Sequence, residues 1–267
     1  MELTLREIQN ETLEIMKVID KICKENNYRY VLYYGTLIGA IRHKGFIPWD
    51  DDLDILMPRR DYNQLANYFI EHEKELEPLK LFSKNTIKNY PYYINRICNT
   101  CFRMEAENEI DCGMGTFIDI YPVDGIGNGK HWFTYLRARL FSTMYFMKRQ
   151  IRFVKPKNPI VCSLKFILKF VSNLYSIDSL YKHLDKIANK FDYDKSEYIG
   201  TVSWAFTKTD MFRHEDIEET VNSEFEGLNF SIPKNYDYLL RRQYGNYMEM
   251  PSEDDRIGHH FYKIFRK

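Results

Sequence analysis

The segment that decides the fold is GTLIGAIRHKGFIPWDDDLD, which runs from Gly35 to Asp54. The residues before it, 28–34, are aromatic and β-branched, and they predict a buried strand. The Gly-Thr pair ends that strand, residues 37–43 predict a short helix, and residues 46–51 predict a loop. A second strand is predicted over 53–57. Because side chains alternate along an extended chain, we expect Asp52 and Asp54 to point to the same face.

Two carboxylates on one face suit Mg²⁺ or Mn²⁺, which bind oxygen ligands and leave positions for substrate phosphates. Gly35 lets the backbone approach a phosphate, and Thr36 offers a hydroxyl and an N–H at a helix start. A third carboxylate, Asp119, lies within the apolar strand TFIDIY, where a buried acid needs a partner or a metal. The three acids together predict phosphoryl transfer. A D-x-D pair alone is also typical of a solvated turn or a Ca²⁺ loop.

The rest of the chain predicts an α/β (α+β) fold. A capping box at Thr4 and Glu7 begins a helix over 5–25, and a further helix is predicted over 60–75. Strands are predicted over 79–82, 92–97, 116–121 and 226–233, and further helices over 131–153, 158–175, 178–191 and 235–244. We therefore expect a mixed sheet with flanking helices over 1–125 and a mainly helical part over 126–267, packed as one continuous unit.

Composition excludes several classes of protein. The 267 residues are 44% hydrophobic and carry no net formal charge, which argues against a disordered chain and against a nucleic-acid binder. The N-terminus has no basic start and no apolar run, so we expect no signal peptide and a cytoplasmic protein. The charge is nevertheless uneven. Residues 125–177 contain no Asp or Glu and ten Lys or Arg, so the remaining chain has an equal negative excess.

The sequence resembles the LicD family in several motifs. The resemblance rests on Gly35–Asp54, on MPRRDY from Met57, on FIDIYPVDG from Phe117 and on IPKNYDYLLRRQYGNYMEMP from Ile232, whereas residues 126–225 match no motif. It implies a nucleotidyltransferase-like fold and transfer of phosphocholine from CDP-choline, or of a related alcohol phosphate from another CDP-alcohol, to a cell-surface glycan. It also implies that Asp52 and Asp54 form the metal pair and that Asp119 is the third acid.

Other residues fit that interpretation. Arg42, His43 and Lys44 are candidates for contact with the diphosphate, or else they form a basic surface. Asp51 or Asp50 is a candidate outer ligand, and Asp119, Asp50 or Asp51 is the candidate general base. Trp49 and Tyr121 could hold a trimethylammonium group by cation–π attraction, or they are core aromatics. Arg256, with His259 and His260, is a candidate for closing over the substrate.

The five cysteines leave two interpretations open. Cys98, Cys101 and Cys112 invite a zinc site, but no second C-x-x-C and no nearby fourth ligand is evident before His131. Reduced thiols are the other interpretation, and we favour it.

The predicted activity is release of CMP as a glycan hydroxyl attacks the phosphocholine phosphorus. Two rival functions remain: a nucleotidyltransferase that adds a nucleotide to a small molecule, and a non-catalytic protein that binds a metal or a glycan. The acid-free basic stretch over 130–170, with an apolar stripe along 158–175, predicts peripheral contact with an anionic membrane. The acceptor would then be a lipid-linked glycan at the inner face of the membrane. The alternative is that the stripe belongs to the core and that the basic residues face solvent or the acidic donor.

Overall fold

A computed structural model of the chain describes residues 1–88, 90–106, 111–130, 132–149, 158–204, 208–256, 258 and 262–267. The helices are α1 Leu5–Asn26, α2 Tyr34–Ile38, α3 Arg59–Glu71, α4 Trp132–Arg149, α5 Pro159–Ser172, α6 Ile177–Ala188, α7 His214–Glu218 and α8 Tyr236–Tyr244. The strands are β1 Val31–Leu32, β2 Asp54–Pro58, β3 Leu79–Phe82, β4 Asn95–Asn99, β5 Phe102–Ala106, β6 Thr116–Gly125, β7 Tyr198–Gly200, β8 Met211–Arg213, β9 Thr220–Phe225, β10 Leu228–Pro233 and β11 Tyr262–Arg266.

The centre of the fold is a mixed sheet in the order β1-β2-β6-β4-β3, and β7 and β8 extend it from the far end of β6. Strands β2 and β6 are parallel, and their register places Asp54 beside Asp119. The other pairings of this sheet are antiparallel. The predicted mixed sheet with flanking helices is therefore confirmed, and its one parallel pair brings two of the three predicted acids together.

Helix α1 forms as the sequence predicts. The Thr4 side chain accepts a hydrogen bond from the Glu7 N–H, and the Glu7 carboxylate accepts one from the Thr4 N–H. This reciprocal pair satisfies two of the N–H groups that the first helical turn leaves without partners. The buried face of α1, which includes Ile15, Met16 and Ile19, packs into the main core.

The main core draws on both sides of the predicted boundary at residue 125, because Phe212, Leu240 and Ile264 belong to it together with Leu32 and Ile118. A second, smaller core lies between α4 and α6. The chain also closes on itself: β11 pairs with β5, and the Leu3 N–H donates to the Ile264 carbonyl at 2.8 Å. No helix in the described ranges is long and apolar enough to cross a bilayer.

The predicted strand before the Gly-Thr pair is shorter than expected. Only Val31 and Leu32 pair with β2, and Tyr34 already begins α2 with a positive φ of 50°. Gly35 and Thr36 therefore lie inside the first helical turn instead of between a strand and a helix. The helix continues as a π-helical turn over Gly39–His43. A β-carbon at Gly39 would lie 2.4 Å from the Gly45 carbonyl oxygen, so this turn needs glycine.

Candidate active site

An open cleft of about 800 Å³ lies at the start of β2. One wall comes from the Gly35–Asp54 segment and the other from residues 244–255, which follow α8. The predicted site residues that line this cleft are Gly35, Arg42, Trp49, Asp50, Asp52 and Asp54. The cleft therefore brings together the diphosphate candidate Arg42, the aromatic candidate Trp49 and the predicted metal pair.

The Asp54 carboxylate is held at the floor of the cleft by its own backbone. Its N–H donates to the Thr36 Oγ1 at 2.8 Å, and its carbonyl accepts from the Tyr33 N–H at 3.0 Å. Thr36 is buried, so its hydroxyl positions Asp54 at the first residue of β2. Thr36 is not among the residues that line the cleft.

One oxygen of Asp54, Oδ1, is buried and has no hydrogen-bond partner among the residues that the structure describes. Burial raises the pKa of the Asp54 carboxyl well above its ordinary value, and the negative charges of Asp52, Asp119 and Asp50 raise this pKa further. A buried carboxylate oxygen with no donor, surrounded by like charges, is costly unless a cation offsets it. The donor set fits Mg²⁺ or Mn²⁺, both of which favour carboxylate oxygens. Asp52 and Asp54 are the residues that would hold the ion.

Asp119 differs from the other two acids because it already has a cationic partner. Arg96 on β4 forms a two-pronged ion pair with it, through Nε to Oδ1 and through Nη2 to Oδ2, the latter at 3.0 Å. The Arg96 guanidinium lies between the rings of Tyr92 and Phe117, 3.7 and 3.9 Å from their centroids. Among the described residues, no three His, Cys, Asp or Glu side chains are grouped as metal ligands. The assignment of Asp119 to the metal stays a prediction.

The remaining predicted residues lie around the cleft and do not line it. The Lys44 side chain is exposed, and its backbone ends the π-helical turn with a φ of 58°. His43 accepts a hydrogen bond from Arg42, and burial followed by the Arg42 charge lowers the pKa of its imidazole. Tyr121 is buried on β6. Its ring contacts those of Tyr34 and Trp204, with centroids 5.1 and 5.4 Å away.

Asp51 and Arg256 also stand outside the lining. Burial raises the pKa of Tyr262, and the charges of Asp51 and Asp52 raise it further. Arg256 lies over the ring of Trp49 at 5.9 Å from the centroid, and its Nε donates to the Pro251 carbonyl at 3.0 Å. His259 and His260 lie outside the described residues.

The second wall of the cleft was not predicted. Arg42 holds it in place, since Nη1 donates to the carbonyls of Tyr247 and Glu249 at 2.7 and 3.2 Å. Burial lowers the pKa of the Arg42 guanidinium. Tyr244 also lines the cleft: burial raises its pKa, and Asp54 is the first of the charges that raise it further. The aromatic run QYGNYMEMP over 243–251 carried the available signal, since the family resemblance includes it.

A separate cavity of about 460 Å³ lies between the end of α1 and β9 and β10. Arg29 lines this cavity, and its guanidinium already forms ion pairs with Asp61 at 2.8 Å and with Glu218 at 2.5 Å. Burial raises the pKa of the Cys23 thiol there far above its ordinary range, so this thiol is unreactive. The acid cleft is therefore the candidate active site.

The cysteines of the predicted zinc alternative do not form a metal site in the described part of the chain. Cys98 is buried in β4, Cys101 is exposed in the following turn, and Cys112 is half-buried. None of the five forms a disulfide. The interpretation as reduced cysteines stays a prediction.

Comparison with known proteins agrees with the geometry. Residues 27–156 match the family model described as LicD/FKTN/FKRP, nucleotidyltransferase domain. The chain is 29% identical over 276 residues to the lipopolysaccharide cholinephosphotransferase LicD of Haemophilus influenzae, covering 99% of this chain and 98% of that protein. Two uncharacterized rickettsial proteins, RP689 of Rickettsia prowazekii and RT0683 of Rickettsia typhi, are each 39% identical over 23% of this chain and 23% of their own length. The matched region contains Asp52, Asp54 and Asp119, and with the full-length similarity to the Haemophilus protein it confirms the resemblance to the LicD family.

Proposed function

We propose that this protein transfers phosphocholine from CDP-choline to a hydroxyl of a cell-surface glycan and releases CMP. One observation carries the proposal. The buried, unpartnered Oδ1 of Asp54 lies in a cleft that Asp52 also lines, and this is the charge arrangement that phosphate chemistry requires. The similarity to a lipopolysaccharide cholinephosphotransferase along nearly the whole chain supports the choice of phosphocholine and glycan.

A divalent cation held by Asp52 and Asp54 would neutralise charge on the donor phosphates. Arg42 lines the same cleft and would bind the diphosphate. In the transfer, the acceptor oxygen forms a bond to the phosphocholine phosphorus while the bond from that phosphorus to the CMP oxygen breaks. Asp50 is the carboxylate that would accept the hydroxyl proton. It lines the cleft, whereas Asp51 does not and Asp119 is paired with Arg96.

The choline end of the donor would lie against aromatic rings. Trp49, Tyr244 and Tyr247 line the cleft, and so do the acidic side chains of Glu249 and Asp255. Aromatic faces attract a trimethylammonium group, and nearby carboxylates add to that attraction. We therefore expect Trp49→Ala to weaken use of CDP-choline more than use of an uncharged CDP-alcohol such as CDP-glycerol. Equal losses with the two donors would remove Trp49 from choline recognition.

Release of CMP from CDP-choline, measured with and without Mg²⁺ or Mn²⁺, tests the function. We expect metal-dependent release that increases when a glycan acceptor is added. Asp52→Asn and Asp54→Asn should each lower this rate at least about 100-fold, because each removes a ligand charge that offsets phosphate charge. Asp178→Asn is the matched control, since Asp178 is an exposed acid paired with Lys84 away from the cleft. Near-normal rates in either cleft variant would refute the assignment.

A second candidate function is nucleotidyl transfer, because the matching family model is described as a nucleotidyltransferase domain. In that reaction the α-phosphorus of a nucleoside triphosphate is attacked and pyrophosphate leaves. The mass of the product separates the two functions, since one adds phosphocholine and the other adds a nucleotide. Consumption of a nucleoside triphosphate with no use of any CDP-alcohol would favour this second function. Tight CDP binding without turnover of either donor would favour a non-catalytic role.

A further inference from the structure

Helix α5 exposes an apolar face. Its outward side chains, together with one residue just after the helix, are Leu164, Phe166, Ile167, Phe170 and Leu174, exposed by 61, 68, 59, 68 and 76%. Two Phe and a Leu recur every fourth residue, so they form one row along the helix. With the exposed Lys165 among them, we call these six residues the α5 face. Large contiguous apolar surfaces of this kind mark interaction sites.

The opposite side of α5 holds the helix on the protein. Leu168 and Val171 pack against the second core, and Ser172 is buried. The Lys169 ammonium donates to the Met147 carbonyl at 2.6 Å, and the Lys148 ammonium donates to the Tyr175 carbonyl at 2.7 Å. These bonds attach α5 to α4 from both sides, so the apolar row faces outward from an anchored helix.

The segment of sequence that carries the α5 face has charge of one sign. Residues 125–177 contain ten Lys or Arg and no acid. Among those described, Lys130, Arg137 and Arg139 are exposed, as is Lys165 within the face. Leu136 and Leu140, one turn apart on α4, add exposed apolar surface beside Arg137 and Arg139. An apolar helical face with basic residues in the same segment fits a surface that has an apolar interior beneath a negatively charged outer layer.

We propose that the α5 face docks this protein on the surface of an anionic lipid bilayer. Helix α5 has 14 residues and is therefore about 21 Å long, too short to span a bilayer and suited to lying in the headgroup plane. Phe166, Phe170 and Leu174 enter the acyl boundary, and Lys165 contacts the lipid phosphates. A second copy of the chain fits less well, because a two-fold contact would set this basic surface against itself.

The docking surface is separate from the cleft, since no residue of α4 or α5 lines it. Membrane binding and turnover of a water-soluble donor can therefore be measured independently. The failure of one proposal would leave the other standing.

Sedimentation with vesicles tests the proposal. We expect the protein to pellet with vesicles of phosphatidylcholine and phosphatidylglycerol at low salt and to stay in solution with phosphatidylcholine alone. High salt should release it, because ions screen surface charge. The Phe166→Ser, Phe170→Ser double variant should weaken binding at least about tenfold, because two buried aromatic side chains are lost. Ile70→Ser on α3 is the matched control, since Ile70 is an apolar residue exposed by 51% outside this face.

A charge series gives a second measurement. Arg137→Gln, Arg139→Gln and Lys165→Gln combined should weaken binding to the anionic vesicles, whereas the same change at the exposed Lys17, Lys21 and Lys195 should not. Circular dichroism and CMP release from soluble CDP-choline verify that each variant is folded.

Several results would overturn the proposal. The first is that the protein does not pellet with anionic vesicles at low salt. The second is that it binds neutral vesicles as well as anionic ones. The third is that binding is unchanged in both the serine and the glutamine variants. Self-association that the serine variant abolishes, without vesicle binding, would assign the face to a second copy and also overturn it.

Discussion

Arg96→Met should destabilise the protein strongly, because Arg96 is the cationic partner of a buried acid beside the cleft. Its guanidinium donates twice to Asp119 and lies between two aromatic rings. Both members of the pair are almost fully buried. Methionine has a similar length and is flexible, so it should fill the slot between the rings and leave little cavity. The change therefore isolates the loss of the charge.

The expected magnitude follows from the burial. Removing one member of a buried ion pair costs about 3–5 kcal/mol, because the other charge is left without compensation. Here the remaining Asp119 carboxylate lies directly beside Asp54 in the parallel register, so its charge adds to an existing negative cluster. With a total stability of about 5–15 kcal/mol, the loss is roughly a fifth or more of the total. The melting temperature should fall by about 6–20 °C.

Urea denaturation of the purified variants measures this loss. Adding Asp119→Asn to Arg96→Met should recover at least half of the lost free energy of unfolding, because the uncompensated charge is then gone. Arg96→Lys should lower the free energy of unfolding by less than Arg96→Met does, because lysine retains the positive charge. It should still lower it somewhat, because lysine lacks the planar guanidinium. A loss below about 1 kcal/mol in Arg96→Met, or no recovery in the double variant, would refute the view that the pair balances a buried charge.

Three further predictions concern the loop that carries the acids. Thr36→Val should cost about 1–3 kcal/mol in urea denaturation, because the Asp54 N–H loses its acceptor, while Thr36→Ser should lose much less. Glu226→Gln should cost under about 1 kcal/mol at neutral pH. A hydrogen bond from Arg6 lowers the pKa of Glu226. The stability that this carboxylate contributes is therefore present above the ordinary pKa of about 4.3 and is lost as the pH falls. The free energies of unfolding of the wild type and of Glu226→Gln should converge in acid. Gly39→Ala should cost about 1–3 kcal/mol, since its β-carbon meets backbone, and a wild-type melting temperature would contradict this.

The elements with a strong local signal were predictable from the sequence. The capping box of α1 and the apolar pattern of α3 gave helices close to their true bounds. Strands β5 and β11 were missed. They pair with each other across more than half of the chain, and the apolar–polar alternation of β5 covers only five residues. The extent of β1 was overestimated, because Tyr30 and Tyr33 are buried by tertiary packing and not by strand pairing.

For the site, the chain order of helix, loop and strand restricts where Asp52 and Asp54 can lie, and both line the cleft; their role as a metal pair stays a prediction. The pairing of Asp119 with Arg96 was not predictable. The two residues are 23 positions apart on antiparallel strands, and the register that joins them depends on the whole sheet. The wall over 244–255 was missed for a similar reason, since only the folded chain brings it to Arg42.

That wall has a consequence for synthesis of the protein. Arg42 and the Tyr247 carbonyl that it binds are 205 positions apart, so the acid-bearing half leaves the ribosome long before its partner segment exists. At translation rates of about 5–20 residues per second, the delay is about 10–40 s. During that interval the nascent chain has the carboxylates but not the second wall of the cleft. Completion of the cleft is thus timed by translation, and a chain released early would carry the acids without the cleft.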